Sequence, residues 1–204
     1  MTLIPGFNRR RVELPGITLS VLEGGTGPAL FLLHGYPQNA LCWSRVAPDF
    51  AQTHRVIIPD LRGYGQSDAP PDDDAHTAYS KRRMAADIVS LMDALGHELA
   101  DILGHDRGAR AAYRLALDHP SRVRRLGIIE VVPTGDFWAA WNADLALRAY
   151  HWTFLAQPAP AFRLLLHFRR FQHHPLGLQM RRQGLPRGTR GRSRPHGRGL
   201  CCHR

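Results

Sequence analysis

The chain has 204 residues, 44% of them hydrophobic, enough for one domain with a substantial core and too apolar for a disordered polymer. Its opening, MTLIPGFNRRR, turns polar at once, and its three cysteines (Cys42, Cys201 and Cys202) make no disulfide framework, so neither a secretory leader nor an oxidising compartment is expected, and the cytoplasm is. The net charge of +10 is confined to the end of the chain: eleven arginines lie from Arg163 onward, leaving 16 basic residues against 17 acidic ones in a body too balanced to bind polyanions by charge.

The first 135 residues alternate strand and helix signals, which predicts an α/β layer architecture. RVELPGITLSVLEGG reads as an opening hairpin turning at Pro15-Gly16. ALFLLHG and HRVIIPD are short apolar runs ending in turn residues, as buried central strands do, and WSRVAPDFAQT between them has room for one helix. Over 79–96, Met84, Ile88, Leu91, Met92 and Leu95 fall at helical spacing and Gly96 marks the stop. A strand ADILGHD, a helix over Arg107–Asp118 and a strand RRLGIIEVV follow. The longest apolar region, 145–168, is broken by Arg148, His151, Pro158, Pro160 and Arg163, so no membrane span and no membrane partner is expected.

The junction between the strand ADILGHD and the helix that follows it carries G-x-D-x-G, Gly104 to Gly108, where many hydrolases have G-x-S-x-G with a nucleophilic serine. Aspartate is also a favoured helix N-cap, so the motif alone leaves a structural and a catalytic reading open. Three neighbouring features bear on the choice. In LLHGYPQ, a Gly turn can aim the Tyr36 amide at the same point as the amide of Arg107, forming an oxyanion hole. DLRGYGQSD, ending at Asp68, reads as a Gly-rich structural turn. Arg107 and Arg110 follow Asp106 at one and four positions, and two planar guanidiniums there suit a carboxylate.

Taken together, HGYPQ, DLRGYGQSD, GHDRGAR, VPT and His151-Trp152 resemble the α/β-hydrolase fold and, within it, the fluoroacetate (haloacetate) dehalogenases; the resemblance covers roughly residues 1–160. It implies a mostly parallel sheet with helices on both faces, incomplete here because the last strands and most of the cap domain are missing. The implied layout is a core over 1–135, the start of a cap over 136–162 and an Arg-rich tail over 163–204. It further implies Asp106 as nucleophile, Glu130 as the acid that orients a histidine, Arg107 and Arg110 on the substrate carboxylate, and His151 and Trp152 on the halide. Tyr36 and Arg107 supply the oxyanion-hole amides. The implied substrate is a small 2-halo acid, with no cofactor and no metal, and a homodimer for intact members. The family usually has Asp where Glu130 stands, and no histidine in this chain matches the family's hydrolytic base, so turnover is not expected. Without the last strands, RRLGIIEV is an unprotected sheet edge and aggregation is expected.

Two other readings remain. An epoxide hydrolase or haloalkane dehalogenase shares the elbow aspartate but acts on neutral substrates, leaving both arginines without a ligand. A nucleic-acid-binding protein working through the Arg-rich tail would show steep salt dependence, but the tail lacks interleaved aromatics, so no specific nucleic-acid partner is expected. The tail has no acid, no apolar period and many Gly, Pro and Arg residues, and the chain has a single lysine, Lys81, against 26 arginines. That bias suggests a GC-rich gene with a reading-frame shift near Ala161–Leu166. Resequencing the gene there should reveal, in another frame, a continuing cap with a tyrosine and a later Gly-His strand end; no such frame would mean the tail is genuine.

Overall fold

β1 (Phe7–Leu14) and β2 (Ile17–Gly24) form the expected hairpin, pairing Leu14 with Ile17 across the Pro15-Gly16 turn. β3 (Ala29–Leu33), β4 (Arg55–Pro59), β5 (Ala100–His105) and β6 (Val123–Ile129) follow. The sheet order is β1-β2-β4-β3-β5-β6; β1, β2 and β4 pair antiparallel, and β4, β3, β5 and β6 run parallel. The computed structural model describes residues 4–155; the tail over 163–204, the last residues expected to start a cap, and the side chain of His151 lie outside the described residues. No helix among the described residues is long and apolar enough to cross a membrane.

Central strands buried on both sides have to be apolar at every position, and their alternate residues divide between two cores. Phe31, Leu33 and Ile57 face one side, where they meet α2 (Lys81–Ala94) through Ala85, Ile88, Leu91 and Met92, and α3 (Arg107–Asp118) through Ala112 and Leu115. Leu30, Leu32, Val56 and Ile58 face the other, covered by Ala40, Trp43 and Ala47. The stretch WSRVAPDFAQT holds the one helix it has room for, the single-turn α1 (Ala47–Phe50), and a 3-10 turn, Ala40–Trp43, precedes it. Pro48 suits the first turn of that helix, and Leu41, Phe50 and Ala51 add partly buried cover to Ala40, Trp43 and Ala47. Within α2, Ser80 caps the start by accepting from the Arg83 amide.

The DLRGYGQSD connection is the structural turn expected. Asp60, 1% exposed, accepts from the Ala40 amide at 2.7 Å, the Gln66 amide at 2.9 Å and Arg9 at 3.0 Å, so one buried carboxylate ties the loop to both sides of the sheet. Arg62 is buried against Asp87 of α2 in a two-pronged ion pair, 2.8 and 2.7 Å. β6 lies at the sheet edge with Leu126, Ile128 and Ile129 more than a third exposed. The short helices α4 (Thr134–Ala139), α5 (Ala143–Arg148) and α6 (Tyr150–Leu155) come last, and the chain divides into two compact units, one ending at Ala140 and the other beginning at Trp141.

Replacing Arg62 with Met removes both hydrogen bonds to the buried Asp87 carboxylate and leaves Arg83, at 3.9 Å, as its cationic partner. The expected loss is about 2–4 kcal/mol, read as a lowered urea midpoint with unchanged slope.

Candidate active site

The parallel pairing of β3 with β5, Leu33 opposite Gly104, brings two loops side by side: the turn His34-Gly35-Tyr36 after β3, and the elbow at Asp106 after β5. Asp106 sits at φ 49°, ψ −114°, a conformation that costs a residue with a Cβ about 1–3 kcal/mol. Its amide donates to the Ile129 carbonyl at 3.2 Å and its carbonyl accepts the Arg110 amide at 3.1 Å, so the elbow is pinned to β6 and to α3. Two glycines make it possible. A Cβ on Gly108 would lie 2.3 Å from the Leu33 carbonyl oxygen and 2.5 Å from that of His34, and one on Gly35 would lie 2.6 Å from the Asp106 Cβ.

Asp106 precedes α3, yet its carboxylate makes no capping bond to that helix. It accepts instead from the Tyr36 amide, 2.8 Å from Oδ1. This choice of partner separates the two readings of the motif. A structural N-cap spends its oxygen on the first free amides of its own helix; here one oxygen is held by a different loop, while the residue stands at the positive end of α3.

Both arginines lie near this carboxylate in charge terms. The Arg107 guanidinium lies over the Tyr36 ring, 5.0 Å from its centroid, and donates to the Tyr64 hydroxyl at 3.4 Å. Arg110 is 4% exposed, donates to the Thr134 hydroxyl and lies over the Phe137 ring at 5.8 Å. Burial lowers its proton affinity from the ordinary guanidinium value, with the Tyr113 hydroxyl and Asp106 working in the opposite direction. Tyr64, edge-on to His34 at 5.1 Å, has its phenol pushed up by burial.

Glu130 follows β6 at φ 54°, and its largely exposed carboxylate is 3.0 Å from His105 Nε2. On its other side His105 Nδ1 is 3.0 Å from Gln38 Oε1, which also accepts the Gly35 amide at 3.2 Å. A chain of contacts thus runs from the turn after β3, through His105 just before Asp106, to Glu130. His34 is buried; its Nδ1 donates to the Gly35 carbonyl at 2.9 Å and its Nε2 accepts the Leu61 amide at 3.0 Å. Burial holds it below the usual imidazole range against the pull of that carbonyl and of Asp60.

Tyr36, Asp106, Arg107, Arg110 and Glu130 all lie in the first compact unit, around the ends of β3, β5 and β6. His151 and Trp152 lie in α6 of the second unit, with Trp152 half-buried and the side chain of His151 outside the described residues. Sequence reasoning did not single out Tyr64, His105 or Gln38, whose contacts join positions far apart in the chain.

Gly108→Ala forces a backbone shift at the elbow and is expected to cost about 1–3 kcal/mol. Gly135→Ala in α4, where an added Cβ meets nothing within 4 Å, should be neutral or stabilising by up to about 1 kcal/mol. Urea titration of the two variants side by side checks the contrast.

Comparison with known proteins agrees with this geometry. Residues 28–178 match the α/β hydrolase fold family. The chain is 45% identical over 158 residues to a fluoroacetate dehalogenase of Burkholderia sp, covering 78% of this chain and 52% of that one. It is 38% identical over 127 residues to a soluble epoxide hydrolase of Corynebacterium sp. (strain C12), covering 62% of this chain and 43% of that one. A crystal structure of a Salmonella enterica protein, provisionally named an acyltransferase, matches with a TM-score of 0.80 at 46% identity, over 90% of this chain and 60% of that one. The chain spans about half the length of the curated relatives it matches. With the six-stranded sheet, the elbow after β5 and the family match in agreement, the chain belongs to the α/β hydrolase fold family.

Proposed function

We propose that the site belongs to a haloacetate dehalogenase, with fluoroacetate or another small 2-halo acid as substrate. The observation that carries this reading is the Asp106 carboxylate held by the Tyr36 amide at 2.8 Å, next to two arginines on the helix it begins. The Burkholderia relative's name supports the substrate class.

The geometry divides the work between the two carboxylate oxygens. Oδ1 is engaged by Tyr36, so Oδ2 is the one left to attack. Its lone pair forms a bond to the carbon bearing the halogen, the carbon–halogen bond breaks, and halide leaves with that electron pair. An ester remains on Asp106, with Oδ1 now its carbonyl oxygen. When water adds to the ester carbon, negative charge develops on Oδ1, where the Tyr36 and Arg107 amides can stabilise it. Arg107 and Arg110 hold the substrate carboxylate and so orient the reacting carbon against Oδ2, an effect able to supply several kcal/mol of the barrier.

Ester hydrolysis needs a base to take a proton from water. Both histidines flanking the elbow are engaged at each ring nitrogen, His34 by the Gly35 carbonyl and Leu61 amide, His105 by Gln38 and Glu130. Neither is available without breaking a contact. The reading therefore gives the 204-residue chain the first half-reaction.

A second reading, an epoxide hydrolase, is favoured by the Corynebacterium relative's name. The two separate by charge on the substrate: an epoxide gives the buried guanidinium of Arg110 nothing to bind.

Incubated with chloroacetate, the chain is expected to gain one carboxymethyl group on the peptide holding Asp106 and to release no more than about one equivalent of chloride. Asp106→Asn should form no adduct, and Arg110→Met should slow adduct formation at least about tenfold. Peptide mass spectrometry reads both. Sustained turnover of a neutral epoxide, unaffected by loss of Arg110, would replace this reading with the second.

A further inference from the structure

The loop after β4, Asp60 to Asp68, has no part in the haloacid reading, yet it carries a side chain that reaches the arginine next to the nucleophile. That side chain is Tyr64, whose hydroxyl accepts from Arg107 Nη1 at 3.4 Å. The place of Tyr64 is fixed independently of this contact. Its amide donates to the Leu61 carbonyl at 2.8 Å, and its carbonyl accepts the Ser67 amide at 3.1 Å. The residues on either side have to be glycine. Gly63, at φ 79°, and Gly65, at φ 54°, are both left-handed; a Cβ on the first would lie 2.7 Å from the Tyr79 ring, and one on the second 2.3 Å from the Asp60 carboxylate. The Tyr64 ring packs against the core and meets buried His34 edge-on, 5.1 Å between centroids.

Arg107 is held differently from other arginines of the fold. Arg62, Arg114 and Arg124 each grip a carboxylate, of Asp87, Asp118 and Asp101, and each does so through the same pair of donors, Nε and Nη2. In Arg107 the opposite donor, Nη1, is the one engaged, by Tyr64, while the guanidinium lies over the Tyr36 ring at 5.0 Å. Its Nε and Nη2 meet no carboxylate among the described residues. Burial pushes the Tyr64 phenol up, so the hydroxyl keeps its proton and holds the guanidinium without neutralising it.

We propose that Tyr64 is a positioning residue: its hydroxyl, carried on a rigid turn, holds Arg107 by Nη1 and keeps the Nε–Nη2 edge open for the carboxylate of the ligand. The proposal rests on the haloacid reading and adds to it a residue that acts only through Arg107. A guanidinium binds a carboxylate by two parallel hydrogen bonds when its plane is set. A free arginine side chain would have to be ordered by the ligand, at a cost in affinity, whereas one tethered beforehand is ordered already. A tyrosine that served the core alone would need its ring and not its hydroxyl.

The test compares Tyr64→Phe, which removes the hydroxyl and keeps the ring against His34, with wild type in the full chain. Two rates are followed by peptide mass spectrometry: carboxymethylation of Asp106 by chloroacetate, and, without chloroacetate, labelling of Arg107 by phenylglyoxal, a dicarbonyl that reacts with guanidiniums. The substitution should slow the first about fivefold and speed the second about threefold, the scale of one lost hydrogen bond to a charged group. Labelling of the exposed Arg45 should not change. A merely packing role would lower the urea midpoint without releasing Arg107 selectively. Carboxymethylation as fast as in wild type overturns the proposal, as does slowed carboxymethylation with Arg107 labelled at the wild-type rate or only in step with Arg45; in each case the haloacid reading stands. Wild type that forms no adduct on Asp106 overturns both.

Discussion

The hydrogen bond from the Tyr36 amide to Asp106 Oδ1, 2.8 Å, is the contact on which the site depends. Asp106 occupies a backbone conformation that costs about 1–3 kcal/mol, and a hydrogen bond to an ionised carboxylate returns about 1.5–3 kcal/mol. The two are of the same size, so the partner loop offsets the strain while the backbone bonds to β6 and α3 fix the elbow's place. The bond also requires that β3 and β5 be neighbours in a parallel sheet, ending at the same level, with glycine at 35 and 108 so that the two loops can approach within contact distance. A fold that met those terms without the aspartate would be an α/β sheet with an empty elbow. Filled, it holds one carboxylate oxygen against the neighbouring loop.

The elements that face both cores were legible because burial on both sides demands a recognisable pattern. ALFLL and the buried VIIP of β4 hold no polar residue, and the helix over Lys81–Ala94 carries its apolar stripe at helical spacing. The second face was less legible. Ala40, Trp43 and Ala47 cover it from a 3-10 turn and a single helical turn, too short for any periodicity to register. The ligand-facing parts of the site followed the same division. Asp106, Arg107 and Arg110 lie within one helical turn and could be read as a unit. Tyr64 meets Arg107 across 43 positions and His105 meets Glu130 across 25, separations at which a sequence gives no hint of contact.

Charge around the elbow is arranged so that the acids and bases of the fold are spent elsewhere. Asp60 is consumed by the Ala40 and Gln66 amides and Arg9, Asp87 by Arg62, Asp101 by Arg124. Burial lowers the proton affinity of His34, whose two ring nitrogens are both engaged, so that it bridges the turn after β3 and the loop after β4. Arg107, at the elbow itself, meets the Tyr36 ring and the Tyr64 hydroxyl.

On the haloacid reading, charge on the substrate is what would select among the chemistries this fold can host. A small carboxylate would meet Arg107 and Arg110, whose planar donors can fix its plane, while the Asp106 carboxylate repels it. The halogen-bearing carbon is the part of such a molecule that points away from its own carboxylate. Held at one end by the guanidiniums, the molecule would present that carbon to Asp106, which is the approach that displacement at saturated carbon requires.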